Sequence, residues 1–282
     1  MELDPLKEQL IILTQALQGH DIKLIVGGGY GLLLRTEHIL RTRPVTRVRE
    51  IPIARSTEDL DLFLSVEIIT SLQKMETIRD TLENIGFIPE AEYFQFKIQV
   101  EPERPERVVK VDLLAAPPET AEQFRMVRIK RPRIRPKDAK KIHAFLTEEA
   151  VTLDEELFPI DISRDGSPLL VYLPHPFTYL VLKLFALRDR IDDDTRAPYH
   201  AYDVYRIIAM MTEEDWNQAV RLSEKYENEP KIREAGEIVK SLFANDESRG
   251  VLRIYQHAGR DAVIDETIAK LLTDLKGLFV RN

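Results

Sequence analysis

The tripeptide Asp59-Leu60-Asp61 constrains this chain more than any other stretch, because it opens the apolar run Leu62-Phe63-Leu64 and follows the glycine cluster Gly27-Gly28-Gly29-Tyr30-Gly31. In a β-strand alternate side chains share a face, so Asp59 and Asp61 project together while Leu60 faces the core. Two carboxylates held side by side repel unless a cation sits between them. Oxygen ligands alone suit a hard divalent metal, Mg²⁺ first, which is held by one or two carboxylates together with substrate phosphates.

With 282 residues, 44% of them hydrophobic, the chain can build one large domain or two modest ones. Its 40 Lys and Arg against 48 Asp and Glu leave a net charge of −8, so any polyanion site is local. Cysteine is absent, which excludes disulfides, thiolate metal sites and cysteine nucleophiles. The acidic start Met1-Glu2-Leu3-Asp4-Pro5 lacks the features of a signal peptide, and no run of about 18 apolar residues could span a bilayer. A cytoplasmic protein without membrane contact is the expectation.

Periodicity organises the rest. Leu6, Leu10, Leu13 and Leu17 predict a helix from Pro5 to Leu17 that Gly19 stops. Ile22 to Val26 reads as a strand entering the glycines, with a helix opening at Gly31. Residues 36–56 hold Arg41, Arg43, Arg47, Arg49 and Arg55 beside Pro44 and Pro52, and read as an irregular or hairpin-like insertion. The strand Asp59 to Leu64 follows, then a helix through Leu72, Met75, Ile78 and Leu82 closed by Gly86. Tyr93 to Val100 and Val108 to Leu114 are two further strands, joined by a turn at Glu101-Pro102-Glu103-Arg104-Pro105. Nine cations between Arg125 and Lys141 are interrupted by Pro132 and Pro136, leaving regular structure open and marking a candidate polyanion contact. Beyond Pro174 the pattern is helical, with Thr212 and Asp215 in capping-box positions. The expected class is α+β: a mixed sheet flanked by helices over residues 1–170, then a helical domain over 171–282.

Asp112 stands in the apolar run Val108 to Leu114, which can lie beside the strand of Asp59 and Asp61. Three acids then serve one site, a trio of the kind that clamps two metal ions for in-line displacement at phosphorus. Glycines without a Cβ let backbone amides approach a phosphate at a helix N-terminus. A dinucleotide fingerprint fails, since the required third glycine falls on Leu32 or Leu34, and no Gly-Lys-Ser or Gly-Lys-Thr follows for a Walker loop. Each residue alone also has an ordinary use. Paired acids occur on solvent faces of surface strands, glycines permit tight turns, Lys183 can snorkel from an apolar helix, and Asp203 can pair with Arg206 on a helix surface. His143, His175 and His257 lack metal-like partners at useful spacing and read as structural or solvated.

Taken together, Gly28-Gly29, Asp59-Leu60-Asp61 and Asp112 resemble the nucleotidyltransferase superfold, with its glycine turn, Asp-x-Asp strand and third acid on a neighbouring strand. Within it the chain looks most like the AbiEii-type nucleotidyltransferases, toxins of type IV toxin–antitoxin systems, and the related mycobacterial MenT toxins. Val26 to Leu32 is similar to their glycine turn, and Arg55-Ser56-Thr57-Glu58-Asp59-Leu60-Asp61-Leu62 to their acid strand. Leu173-Pro174 with Leu182 to Arg190 resembles their lysine-bearing helix, and His200-Ala201-Tyr202-Asp203-Val204-Tyr205 the segment after it. His200 stands where the family often has lysine, Gly31 where it often has alanine, and the spacing from Gly29 to Asp59 is long.

The resemblance implies transfer of a nucleotide from an NTP with Mg²⁺, two ions being expected and Mn²⁺ able to substitute. It assigns Asp59, Asp61 and Asp112 as metal ligands, Asp112 also as a base, and Lys183 and Asp203 to the catalytic set. Gly28, Gly29, Tyr30, Arg55, Thr57, Lys183 and Arg190 are the implied nucleotide contacts. It also implies a tRNA or other RNA acceptor and a cognate antitoxin. Two rival readings stand beside it: transfer to a small molecule such as an aminoglycoside, and a nucleotide- or RNA-binding module without turnover.

Overall fold

The computed structural model describes the chain except residues 1–3, 55–56, 58, 91, 101–107, 164–165, 260–262, 264 and 281–282. Arg55 and the turn at 101–105 therefore lie outside the described residues. The chain divides into two compact units, residues 1–34 with 56–174 and residues 35–55 with 175–282.

The first unit runs α1 (Pro5–Ala16), β1 (Ile25–Val26), the start of α2 (Gly28–Thr42), β2 (Asp59–Leu64), α3 (Val66–Thr70), α4 (Leu72–Ile85), β3 (Ile88–Pro89), β4 (Gln95–Gln99) and β5 (Val108–Ala115). It continues through α5 (Ala121–Met126), β6 (Val127–Lys130), β7 (Arg133–Pro136), β8 (Ala144–Leu146), β9 (Phe158–Asp161) and β10 (Leu170–Leu173). Among the described residues these strands form one mixed sheet in the order β6-β7-β8-β5-β2-β1-β10-β9, with β4 bonded to β5 and β3 to β4. The mixed sheet flanked by helices that the sequence leads one to expect is the arrangement observed. On β2, Leu60, Leu62 and Leu64 are buried, as are Val109, Val111 and Leu113 on β5, and α1 packs against both strands. Alternation of side chains thus gives β2 and β5 one apolar face and one polar face.

Three local expectations change. The strand expected from Ile22 is only Ile25–Val26, and α2 begins at Gly28 rather than Gly31. Residues 36–42, expected as irregular, continue α2, because Thr36 and Ile39 are buried along it while Glu37, Leu40 and Arg41 remain outside. Residues 127–136 form a two-stranded hairpin, with Val127↔Pro136 and Ile129↔Ile134 in register. Pro132 falls in its turn and Pro136 at a strand end, where neither interrupts the ladder.

In the second unit α2 ends and α6 (Pro176–Asp189), α7 (Ala197–Met210), α8 (Glu213–Lys225), α9 (Pro230–Leu242), α10 (Arg249–Ala258) and α11 (Asp265–Phe279) follow. Helices α6 and α7 are buried on nearly all sides, as their apolar composition requires. The arginine-rich stretch works structurally here. Arg47 clasps Asp274 with Nε and Nη2 at 2.7 and 2.6 Å and lies over the Trp216 ring at 4.0 Å. Thr212 and Asp215 form the capping box of α8, and the Asp215 carboxylate also receives Arg35 at 2.6 Å.

His175 caps α6, its Nδ1 accepting the Phe177 N–H at 3.1 Å. Burial of the ring, opposed by the negative charge of Asp215 and helped by the nearby Arg35, brings the imidazole down from 6.5 to about 4. Between these values the unfolded chain takes up a proton that the folded chain refuses. Stability present above pH 6.5 is therefore lost as pH falls toward 4, by on the order of 2–3 kcal/mol. Urea unfolding at pH 7.5 and 4.5 should show that extra loss for the wild type and a smaller one for His175→Asn, which keeps a capping acceptor but does not titrate. Equal losses would contradict this role.

Candidate active site

Strands β2 and β5 run parallel with Asp61 directly opposite Asp112 and Asp59 opposite Lys110. Residues opposite one another across a ladder share a face, so Asp59, Asp61 and Asp112 stand together on the polar side of the sheet, each half-buried. The third acid expected from the sequence is thus beside the first two.

The glycine turn is built onto this pair of strands. The Gly27 N–H donates to the Asp61 carbonyl at 2.8 Å. Gly28 has a φ of +58°, and a Cβ there would come within 1.6 Å of Asp61 Oδ2. At Gly27 a Cβ would meet the Phe63 ring at 2.3 Å. The Gly31 N–H bonds back to the Gly27 carbonyl at 2.8 Å, so the helix ladder starts here. A helix start leaves its first amides without helical partners, and its dipole favours negative charge. That positive end therefore begins beside the Asp61 carboxylate.

Asp59 Oδ1 is buried and finds no hydrogen-bond partner among the described residues. A buried carboxylate oxygen left so is costly unless a cation or donor arrives. Asp112 accepts from Gln95 Nε2 at 3.1 Å, across the β4–β5 ladder. Burial pushes the Asp112 carboxyl above its usual range, the negative charges of Asp59 and Glu90 add to this, and the Gln95 hydrogen bond and Lys110 oppose it. Among the described residues no group of three or more Asp, Glu or His side chains is arranged so as to hold a metal ion by itself. The acids instead form an open, oxygen-only array with one orphaned oxygen. Such an array fits Mg²⁺ or Mn²⁺, which complete their shells with water and substrate phosphates.

Thr57 is half-buried just ahead of β2. Tyr30 is 1% exposed, its ring being part of the core. In the second unit Lys183 and Asp203 are brought together, Nζ to Oδ2 at 2.8 Å. Asp203 is completely buried rather than on a helix surface, and its Oδ1 accepts Arg206 Nη1 at 3.3 Å. Arg206 Nη2 in turn donates to Thr36 Oγ1 at 2.8 Å. Asp203 thus holds Lys183 in place inside an apolar helix pair. Arg190 ends α6 with Nη1 3.5 Å from the Ala186 carbonyl. Gln95 and Thr36 were not legible as site residues, because only strand register and helix packing reveal their partners.

A mixed sheet bearing two acids on one strand, a third on the parallel neighbour and a glycine-led helix against them defines a nucleotidyltransferase-type fold. A family model described as the nucleotidyl transferase AbiEii toxin of type IV toxin–antitoxin systems matches residues 11–270, and the chain belongs to that family. Nothing among curated proteins and nothing among solved structures matches it. Membership brings with it a nucleotide substrate and a cognate antitoxin. Among the described residues no helix is long and apolar enough to cross a membrane.

Because Gly28 combines positive φ with contact to Asp61, Gly28→Ala should destabilise the first unit by at least about 2 kcal/mol, read from the urea midpoint. A Gly29→Ala variant, at a position without that φ, should lose less. Equal effects would contradict the packing described.

Proposed function

We propose that the protein transfers a nucleoside monophosphate from an NTP to an acceptor hydroxyl with the help of a divalent cation, and that this acceptor is an RNA, tRNA included. The observation that carries this reading is the placement of Asp59, Asp61 and Asp112 on one sheet face with the α2 N-terminus against Asp61. Asp59 and Asp61 would hold Mg²⁺, with Mn²⁺ as a substitute, and Asp112 would act as a further ligand or as the base. When bound, the cation, two ions in the full arrangement, would supply charge neutralisation at the phosphates and at the attacking oxygen.

The chain's own groups account for the remaining work. Backbone amides at Gly28 and Gly29, the first residues of α2, would cradle the triphosphate. The acceptor oxygen forms a bond to the α-phosphorus as the bond from that phosphorus to the β-bridging oxygen breaks, and pyrophosphate leaves. Where Asp112 acts as the base, the acceptor proton passes to its carboxylate. As a toxin, the protein would arrest growth by modifying its acceptor until the antitoxin intervenes.

Incubation with each α-³²P-labelled NTP, Mg²⁺ and total RNA should give label transfer by the wild type. Asp59→Ala and Asp61→Ala should lose at least about a thousandfold in rate. No transfer by the wild type, or equal transfer by Asp59→Ala, would overturn the reading.

A further inference from the structure

The register of the sheet extends the acid face to a second feature. In the parallel ladder of β5 and β8, Leu114 is opposite Phe145, and in the antiparallel ladder of β8 and β7, Phe145 is opposite Arg133. Alternate residues share a face, so Asp112, Leu114, Phe145 and Arg133 all lie on the same side of the sheet. The β6–β7 hairpin then places Lys130 opposite Arg133 and Arg128 opposite Arg135. Four cations therefore occupy one face of the hairpin as a two-by-two grid, on the side of the sheet that carries the acids.

Like charges directly opposite each other destabilise a ladder. Only part of this repulsion is relieved internally. Arg133 Nε reaches Glu92 at 3.2 Å, and Arg135 Nη1 donates to the carbonyls of Lys137 and Ala139. Arg128 and Lys130 are exposed on the edge strand and make no ion pair among the described residues. On an ideal sheet Arg133 lies two strand spacings across and two residues along from Asp112, about 12 Å. The cations are thus outside the acid site yet within reach of the same extended ligand. Exposed Phe124, 51% accessible on the turn of helix before β6, adds an aromatic surface at this edge.

We propose that this face of the β6–β7 hairpin docks the sugar–phosphate backbone of a single-stranded RNA segment, delivering it along the sheet toward Asp112. Phosphates neutralise a cation grid without base readout, so recognition here is independent of sequence and sensitive to salt. An RNA fits better than an acidic protein surface because it presents regularly spaced charges together with bases that stack on an aromatic ring. The purpose of docking rests on the nucleotidyl-transfer reading, whereas docking itself is measured separately.

Fluorescence anisotropy of the full chain with a labelled 20-nucleotide oligouridylate, across a salt series, tests this. Arg128→Ser/Lys130→Ser should weaken binding about tenfold or more at low salt and reduce the log–log salt slope by about 1.4, the value for two lost phosphate contacts. The exposed pair Lys225→Ser/Lys240→Ser on the second unit should change neither. Arg128→Ser alone should give an intermediate loss, which keeps the test open if the double variant folds poorly. Wild-type affinity and slope in the hairpin variants would overturn the proposal, as would loss of binding to polyglutamate with RNA binding intact. RNA binding that depends on the hairpin, in a protein that transfers no nucleotide, would uphold the docking surface while refuting the transferase reading.

Discussion

Gly28 leaves β1 with a φ of +58° and brings its backbone against the Asp61 carboxylate, where a Cβ would stand 1.6 Å from Oδ2. That approach lets the N-terminus of α2 start beside the acid strand instead of a side chain's breadth away. The same turn is anchored by the Gly27 N–H on the Asp61 carbonyl, so the position of the acid and the position of the helix dipole are set by one short contact region. The parallel pairing of β2 and β5 then adds Asp112 opposite Asp61. Three negative charges and one positive helix end are held by backbone geometry before any ligand binds, which is the preorganisation that phosphoryl chemistry depends on.

The second unit solves a different problem. Lys183 lies in a helix that is buried on nearly all sides, and an ammonium there is tolerable only with a partner. Asp203 provides it, and the spare capacity of Asp203 is taken by Arg206, itself bonded to Thr36. Removing one member of such a set strands the others in a low-dielectric interior, which typically destabilises by about 3–5 kcal/mol. Loss of activity in an Asp203 variant is therefore informative only beside a stability measurement. The guanidinium of Arg47, held by Asp274 and stacked on Trp216, shows the arginine-rich stretch contributing to packing as well as to charge.

Much of this was legible in the letters where a period or a cap signals itself. The alternation Asp59-Leu60-Asp61-Leu62 specified β2, Gly86 closed α4 with a left-handed residue, and the capping box at Thr212 is formed as spaced. Asp112 was legible as an acid in a strand, but its place opposite Asp61 depends on register, which no local pattern contains. The start of α2 at Gly28 was hidden because glycine is a poor helix former, and the turn's contact with Asp61 overrides propensity there. The hairpin at 127–136 was obscured by its prolines, which sit at positions a ladder tolerates. Burial of Asp203 was invisible for the same reason as the role of Gln95: partners distant in sequence determine both.

In the proposed function Asp59 and Asp61 hold a divalent cation whose shell is completed by nucleotide phosphates. Electron paramagnetic resonance of free Mn²⁺, titrated with the intact protein and a non-hydrolysable NTP analogue, reads this without turnover. The wild type should deplete the free-ion signal in a nucleotide-dependent way, and Asp59→Asn and Asp61→Asn should each weaken that binding by about tenfold or more. Undiminished free Mn²⁺ with the wild type and nucleotide, or wild-type binding by both variants, would contradict it.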